Sequence, residues 1–270
     1  MTGYRTSIGT ADATSIQVLG QDLADDLMGK VGFAELAYWL VAMRRPSPGE
    51  LRVFESVLVA LADHGLTPSA LAARLTLTGA PESVQGALAA GLLGGGSRFL
   101  GVTEDTGTFL SGALGRLDES GSPLPDSEVA WDALALDAVR SQRAAGLLVP
   151  GLGHTLHKEG DPRTPVLFAI AKEEGLFGQH LQLFEAVGRV HPEVLGRTLP
   201  LNGAGACGAA LCDLGLPVEI LRGFALLART AGLLGHLAEE MRSPIGLDLY
   251  AQVEHETVYQ PPTGGAGIGG

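Results

Sequence analysis

Aromatic residues make up only 5% of this 270-residue chain, although 46% of it is hydrophobic. A sheet-rich core would be enriched in aromatic and β-branched side chains, so leucine, alanine and valine packed between helices are expected instead. Positive charge is scarce too: 18 lysines and arginines face 30 acids, a net charge of −12. That balance argues against nucleic acid as a partner, which needs a basic face to displace counterions. A few locally placed cations can still hold a small anion against the global field. Cysteine is nearly absent. Cys207 and Cys212 form no CxxC pair and read as buried thiols in a reduced setting. No uninterrupted apolar run of about 18 residues is present, and the opening MTGYRTSIGT lacks the apolar core of a signal peptide. A soluble, cytoplasmic protein with no membrane partner is the expectation.

What is present is helical periodicity. After a short segment, TSIGTADATSIQVLG, whose alternation suggests a hairpin, Leu23, Leu27, Phe33, Leu36, Leu40 and Met43 recur at helix spacing around a break near Gly29. Ser47, Pro48 and Glu50 form the signature of a capping box opening the next helix. Further helices are expected over residues 67–75, 82–94, 125–145, 164–173, 178–189 and 217–242. No internal repeat is found, and the tail GGAGIGG reads as a flexible end. The fold class is all-α with a small N-terminal β element.

Four stretches carry candidate chemistry. GLGHTLHKEGDPR, residues 151–163, places His154 and His157 three apart behind Gly151 and Gly153, with Arg163 at its end. Glycines let a main chain approach a ligand, a histidine can donate to a carbonyl or alkoxide, and a guanidinium can grip a carboxylate. A polar turn between helices is the competing reading. His154, His157, Glu159 and Asp161 could hold a metal, but no third histidine follows at helical spacing, and no metal is expected. ADHG ends a helix at His64, where a histidine commonly satisfies the last carbonyls. GLLGGGSRFLG, residues 91–101, puts three glycines at the end of an apolar helix, a costly arrangement that suggests a hinge or a ligand surface. In ARTAGLLGHLAEE, Arg229 sits inside an apolar helix seven residues before His236 and requires an anion, either a substrate carboxylate or one of the chain's own acids.

Together these motifs resemble the citrate synthase superfamily, and within it the citryl-CoA lyases and the lyase module of ATP-citrate lyase. The resemblance runs from GQDLADDLMGKVGFAELAYWLV to about Ile245. GLGHTLHKEGDPR is its most specific part, and ADHG, GLLGGGSRFLG and the Arg229, Gly232, His236 pattern follow the same order as in the family. It implies a homodimer with a large domain from residues 1–102 and 213–260, a small domain from 103–212, and a tail over 261–270. It further implies that His64 and His154 bind and polarise the oxygens of a hydroxy or keto acid, and that Arg163 and Arg229 clamp its carboxylates. The loop Val149, Pro150, Gly151, Leu152 and Gly153 is similar to the one that recognises coenzyme A; Asn202 is retained at the substrate site, and His157 has no matching role.

Two positions depart from the family's pattern. Phe99 stands where citrate synthases carry a further histidine, as phenylalanine does in the lyases. LPLNGAGACG stands where the family reads L-N-V-D-G, so Ala204 replaces the aspartate that moves the methyl proton. A positioned acid or base is worth about 10²–10⁴-fold in rate. Asp213 lies about 13 Å further along if that segment is helical, too far to replace it. The expected activity is carbon–carbon cleavage of a 3-hydroxy-3-carboxyacyl-CoA, citryl-CoA or a related ester, to a 2-keto acid and an acyl-CoA. The alternative is a catalytically silent paralogue that binds acyl-CoA or citrate as a regulatory or partner subunit.

Overall fold

The computed structural model describes residues 3–262. Three short antiparallel strands open the chain: β1 (Gly9–Ala11), β2 (Ile16–Val18) and β3 (Gln21–Asp22), in that order across the sheet. Asp12 closes the expected hairpin by accepting from the Thr14 and Ser15 backbone N–H groups at 2.8 Å each. One helical turn over Leu23–Leu27 follows, and Gly29 breaks the periodic segment with φ of 74°.

Eleven α-helices follow among the described residues: α1 (Phe33–Ala42), α2 (Pro48–Ala62), α3 (Pro68–Gly79), α4 (Val84–Leu100), which is broken at Gly96 where φ is 52° and ψ −166°, α5 (Val102–Glu119), α6 (Glu128–Ala144), α7 (Arg163–Glu173), α8 (Gln179–Leu195), α9 (Gly203–Asp213), α10 (Leu221–Arg242) and α11 (Gly246–Glu256). The capping box is formed as expected. Ser47 Oγ accepts from the Glu50 N–H at 3.2 Å, and the Glu50 carboxylate accepts from the Ser47 N–H at 2.7 Å. Thr67 caps α3 more simply, its Oγ1 accepting from the Ala70 N–H at 3.4 Å. Among the described residues, no helix is long and apolar enough to cross a membrane.

Three helices lie where none was expected. Helix α5 carries glycines and threonines that read as breakers, yet Thr103, Thr106, Gly107, Leu110, Ala113 and Leu114 form its buried stripe. Helix α9 is buried almost throughout, so it has no polar face to reveal a period. Helix α11 is largely exposed, with Gly246 its only buried residue.

The described chain divides into two compact units, residues up to 63 with 96–229, and residues 64–95 with those from 230 on. The first unit holds the main core. Tyr38 and Phe54 pack edge to face at 5.5 Å between centroids, Phe54 and Phe224 at 5.1 Å, and the Tyr38 hydroxyl donates to the Leu214 carbonyl. Helix α9 runs through this core against α5 and α8, and small residues set the spacing. A Cβ on Gly205 would stand 2.6 Å from the Gly151 Cα, so glycine there lets the 149–153 loop lie directly on the helix. The second unit has its own smaller core, built on Ala70, Ala73, Leu77, Ala87, Leu233 and Leu237. The glycine-rich tail lies outside the described residues.

Candidate active site

The 149–163 loop is fixed by backbone pairing before any side chain acts. Leu152 and Leu201 form an antiparallel bridge, the Gly153 N–H donates to the Pro200 carbonyl, and the Asn202 N–H donates to the Gly151 carbonyl, both at 2.8 Å. Gly151 and Gly153 take φ of 79° and 80°, which other residues resist. Asn202 joins loop to helix. Its Oδ1 accepts from the Gly205 N–H at 2.8 Å and caps α9, while its Nδ2 donates to the Gly153 carbonyl at 2.9 Å.

His154 leaves this loop half-buried. Its Nδ1 accepts from the backbone N–H groups of Leu156 and His157, each at 3.1 Å. Two donors on Nδ1 place the proton of the neutral ring on Nε2, which makes that nitrogen a hydrogen-bond donor. The His157 ring lies against the His154 ring, 4.4 Å between centroids, and Lys158 Nζ donates to the His154 carbonyl.

Arg163 opens α7 and is already engaged. Its Nε and Nη2 donate to the two oxygens of Asp161 at 3.0 and 2.7 Å, and its Nη1 donates to the Ala60 carbonyl at 3.1 Å. The Asp161 side chain is wholly buried and also accepts from the Gly203 N–H at 2.7 Å, the first residue of α9. Burial alone would raise this carboxyl, but the hydrogen bonds from Arg163 and the Gly203 N–H overcome it and hold the group well below the usual carboxylate range. The sequence suggests Asp161 only as one of four possible metal ligands, not as the partner of Arg163. Its task depends on a contact with residue 203, forty-two positions away, which spacing cannot show.

Arg229 presents the opposite case. It is buried, 7% exposed, yet its Nε and Nη1 make no hydrogen bond among the described residues. Its Nη1 stands 3.7 Å from an Asp63 oxygen, and the Asp63 side chain is half-exposed. Burial depresses the pKa of Arg229; Asp63 opposes that, and the nearby positive charge of Arg163 adds to it. Two guanidiniums within reach of each other, one matched and one not, favour an incoming anion.

A cavity of about 1370 Å³ opens beside the loop in the first unit. Val149, Pro150, Gly151, Leu152, Gly153, His154 and Asn202 line it, so seven of the expected residues share one wall. The cations Arg98, Arg116, Arg143, Lys158 and Arg197 line it too, against a single acid, Asp105. In a chain of net charge −12 this is a local reversal of sign suited to a polyanionic ligand. The five cations come from separate helices and loops, and sequence reading missed them. Arg163 and Arg229 do not line this cavity.

Ala204 is half-buried in the first turn of α9. Asp213, at the far end of that helix, is committed elsewhere. Its oxygens accept from the His180 and Leu181 N–H groups at the start of α8, at 2.9 and 3.0 Å, and one of them pairs with His180 Nδ1. Phe99 is partly exposed. His64 opens the second unit and is half-buried. In the same unit His236 Nδ1 lies 3.0 Å from Nη2 of the buried Arg74, which also pairs with Glu239 and Glu240. That network gives His236 a structural task.

Residues 22–246 match the family model described as citrate synthase, C-terminal domain. The fold resembles that of citryl-CoA lyase from Hydrogenobacter thermophilus, with a TM-score of 0.81 and 29% identity over 97% of this chain and 96% of that one. It also resembles an aspartate-to-alanine variant of ATP citrate lyase from Methanosaeta concilii, in complex with (3S)-citryl-CoA. The TM-score there is 0.74, with 23% identity over 97% of this chain and 42% of the other. A probable ATP-citrate synthase of Caenorhabditis elegans is 24% identical over 262 residues, covering 90% of this chain. The chain spans only 22% of that protein's length.

Proposed function

The chain belongs to the citrate synthase family, and from that premise we propose that it is a carbon–carbon lyase of the citryl-CoA lyase type. The observation that carries this reading is the near end-to-end correspondence with a citryl-CoA lyase, 97% of one chain on 96% of the other. The substrate would be a 3-hydroxy-3-carboxyacyl-CoA, citryl-CoA or a related ester, and the products a 2-keto acid and an acyl-CoA.

In this proposal coenzyme A occupies the cation-lined cavity, its adenine end on Val149–Gly153 and its phosphates opposite the arginines. The acid end is held by Arg229, with Arg163 contributing the donors that Asp161 leaves over, and by Asn202. The hydroxyl proton leaves to water, and His154 donates from Nε2 to the resulting alkoxide oxygen as it becomes a carbonyl. His64 is the second catalytic histidine. As the C–C bond breaks, its electron pair enters the thioester enolate, which takes a proton from water at the position Ala204 leaves without a carboxylate. An acyl group larger than acetyl would fit beside that alanine. A homodimer, a small domain over residues 103–212 within a large domain of 1–102 and 213–260, and a cytoplasmic location belong to the same proposal. Cys207 and Cys212, both buried free thiols, accord with that location.

The test is turnover of (3S)-citryl-CoA and of a panel of 3-hydroxy-3-carboxyacyl-CoA esters, with keto acid and acyl-CoA read by mass spectrometry. Cleavage that disappears in a folded His154→Ala variant is expected. No cleavage of any ester would overturn the reading.

A further inference from the structure

Arg163 and Arg229 are held by their acids in contrasting ways. Asp161 is buried and meets Arg163 edge to edge at 2.7 and 3.0 Å, a fixed pair. Asp63 is half-exposed and stands 3.7 Å from Arg229, beyond hydrogen-bond distance. Arg229 meanwhile keeps Nε and Nη1 without hydrogen bonds although it is buried. A buried guanidinium demands better than this.

The placement of Asp63 is unfavourable on local grounds as well. It is the C-cap of α2, with extended backbone at φ −141° and ψ 158°, so its negative charge sits at the negative end of the helix. The helix dipole therefore does not favour the acid there, whereas the neighbouring charge of Arg229 does.

We propose that Asp63 is a resident counter-ion that a substrate carboxylate displaces from Arg229, and that it thereby sets the affinity for the acid end of the substrate. Before the ligand arrives, Asp63 keeps the buried cation tolerable. Nε and Nη1 are closed to solvent while Asp63 is in place, so a carboxylate reaches them as Asp63 moves aside and supplies hydrogen bonds that the 3.7 Å pair does not. The displaced acid is then a like charge close to the ligand, which limits affinity and favours release of the product acid. This inference rests on the reading of Arg229 as a substrate clamp.

The experiment is calorimetric titration of citrate into the full chain at low salt, for wild type, Asp63→Asn, Arg229→Gln and the double variant. Melting by circular dichroism confirms each fold, and Asp63→Ala serves as a second replacement should asparagine disturb the end of α2. Asp63→Asn is expected to bind citrate about five-fold more tightly, the upper end of what a half-exposed ion pair contributes (about 1 kcal/mol). Arg229→Gln should lose at least about ten-fold, and the gain from asparagine should vanish in the double variant. Equal or weaker binding by both Asp63 variants, with wild type binding and Arg229→Gln failing, overturns the inference and leaves the clamp standing. A gain that persists without Arg229 overturns it as well, since the effect would be one of net charge. Failure of every variant, wild type included, to bind citrate removes the clamp itself, and the inference with it.

Discussion

Replacing Asp161 by asparagine tests whether this buried carboxylate ties the catalytic loop to the start of α9. Asp161 accepts four hydrogen bonds: from Arg163 N, Nε and Nη2, and from the Gly203 N–H. Asparagine keeps one carbonyl acceptor but turns an NH₂ group toward donors, and it leaves Arg163 without its counter-charge. Breaking a buried ion pair costs about 3–5 kcal/mol. The Arg163 side chain is one-fifth exposed, so the lower end is expected, about 3 kcal/mol.

Urea unfolding followed by tryptophan fluorescence measures it, since Trp39 and Trp131 both lie in the same unit as Asp161. With an m-value of about 3 kcal/mol/M the midpoint should fall by about 1 M. The pH dependence supplies the second check. A carboxyl held low in the folded state stabilises fully above its unfolded pKa of about 3.9, and that stability is lost as pH falls through the folded value. At pH 3 the folded group is still ionised while the unfolded one is mostly protonated. The wild-type advantage should therefore shrink by about 1.2 kcal/mol between pH 7 and pH 3. An unchanged midpoint at pH 7, or a gap that does not narrow in acid, would refute the reasoning.

Arg229→Met should weaken binding of a di- or tricarboxylate by about 2–5 kcal/mol in calorimetry with little loss of stability, because it strands no buried acid. Arg163→Met should instead cost stability, through the Asp161 it leaves unpaired; matching losses of stability in the two variants would contradict this division. Gly205→Ala puts a methyl against the Gly151 Cα and should destabilise the first unit by about 1–3 kcal/mol in urea unfolding; an unchanged midpoint would mean the loop does not rest on α9. Ala204→Asp should create hydrogen–deuterium exchange at the acetyl-CoA methyl, read by NMR, by returning a proton-transfer group to that helix turn. Absence of exchange in a folded variant would show that the acyl carbon does not lie over residue 204.

Much of the helical frame is decided locally, and so was legible in the sequence. A capping box needs only residues three apart, which is why Ser47, Pro48 and Glu50 mark the start of α2 without reference to the rest of the chain. The turn glycines and His154 were found because a motif keeps its internal spacing whatever surrounds it, and the family followed from four such motifs in order. Helix α9 escaped because burial on every side erases the alternation that reveals a helix.

Most of the site's electrostatics had no local signature. The sequence names Arg163 and Arg229 as cations and leaves their partners open. Arg163 finds its acid two residues back, at Asp161, but the bond that ties Asp161 to the Gly203 N–H and the loose pairing of Arg229 with Asp63 arise only in the fold. The cations around the cavity, Arg98 to Arg197, are likewise spread over a hundred residues and become one surface when their helices converge. Charge acts through space with a reach of several ångströms, so its arrangement is a property of the fold.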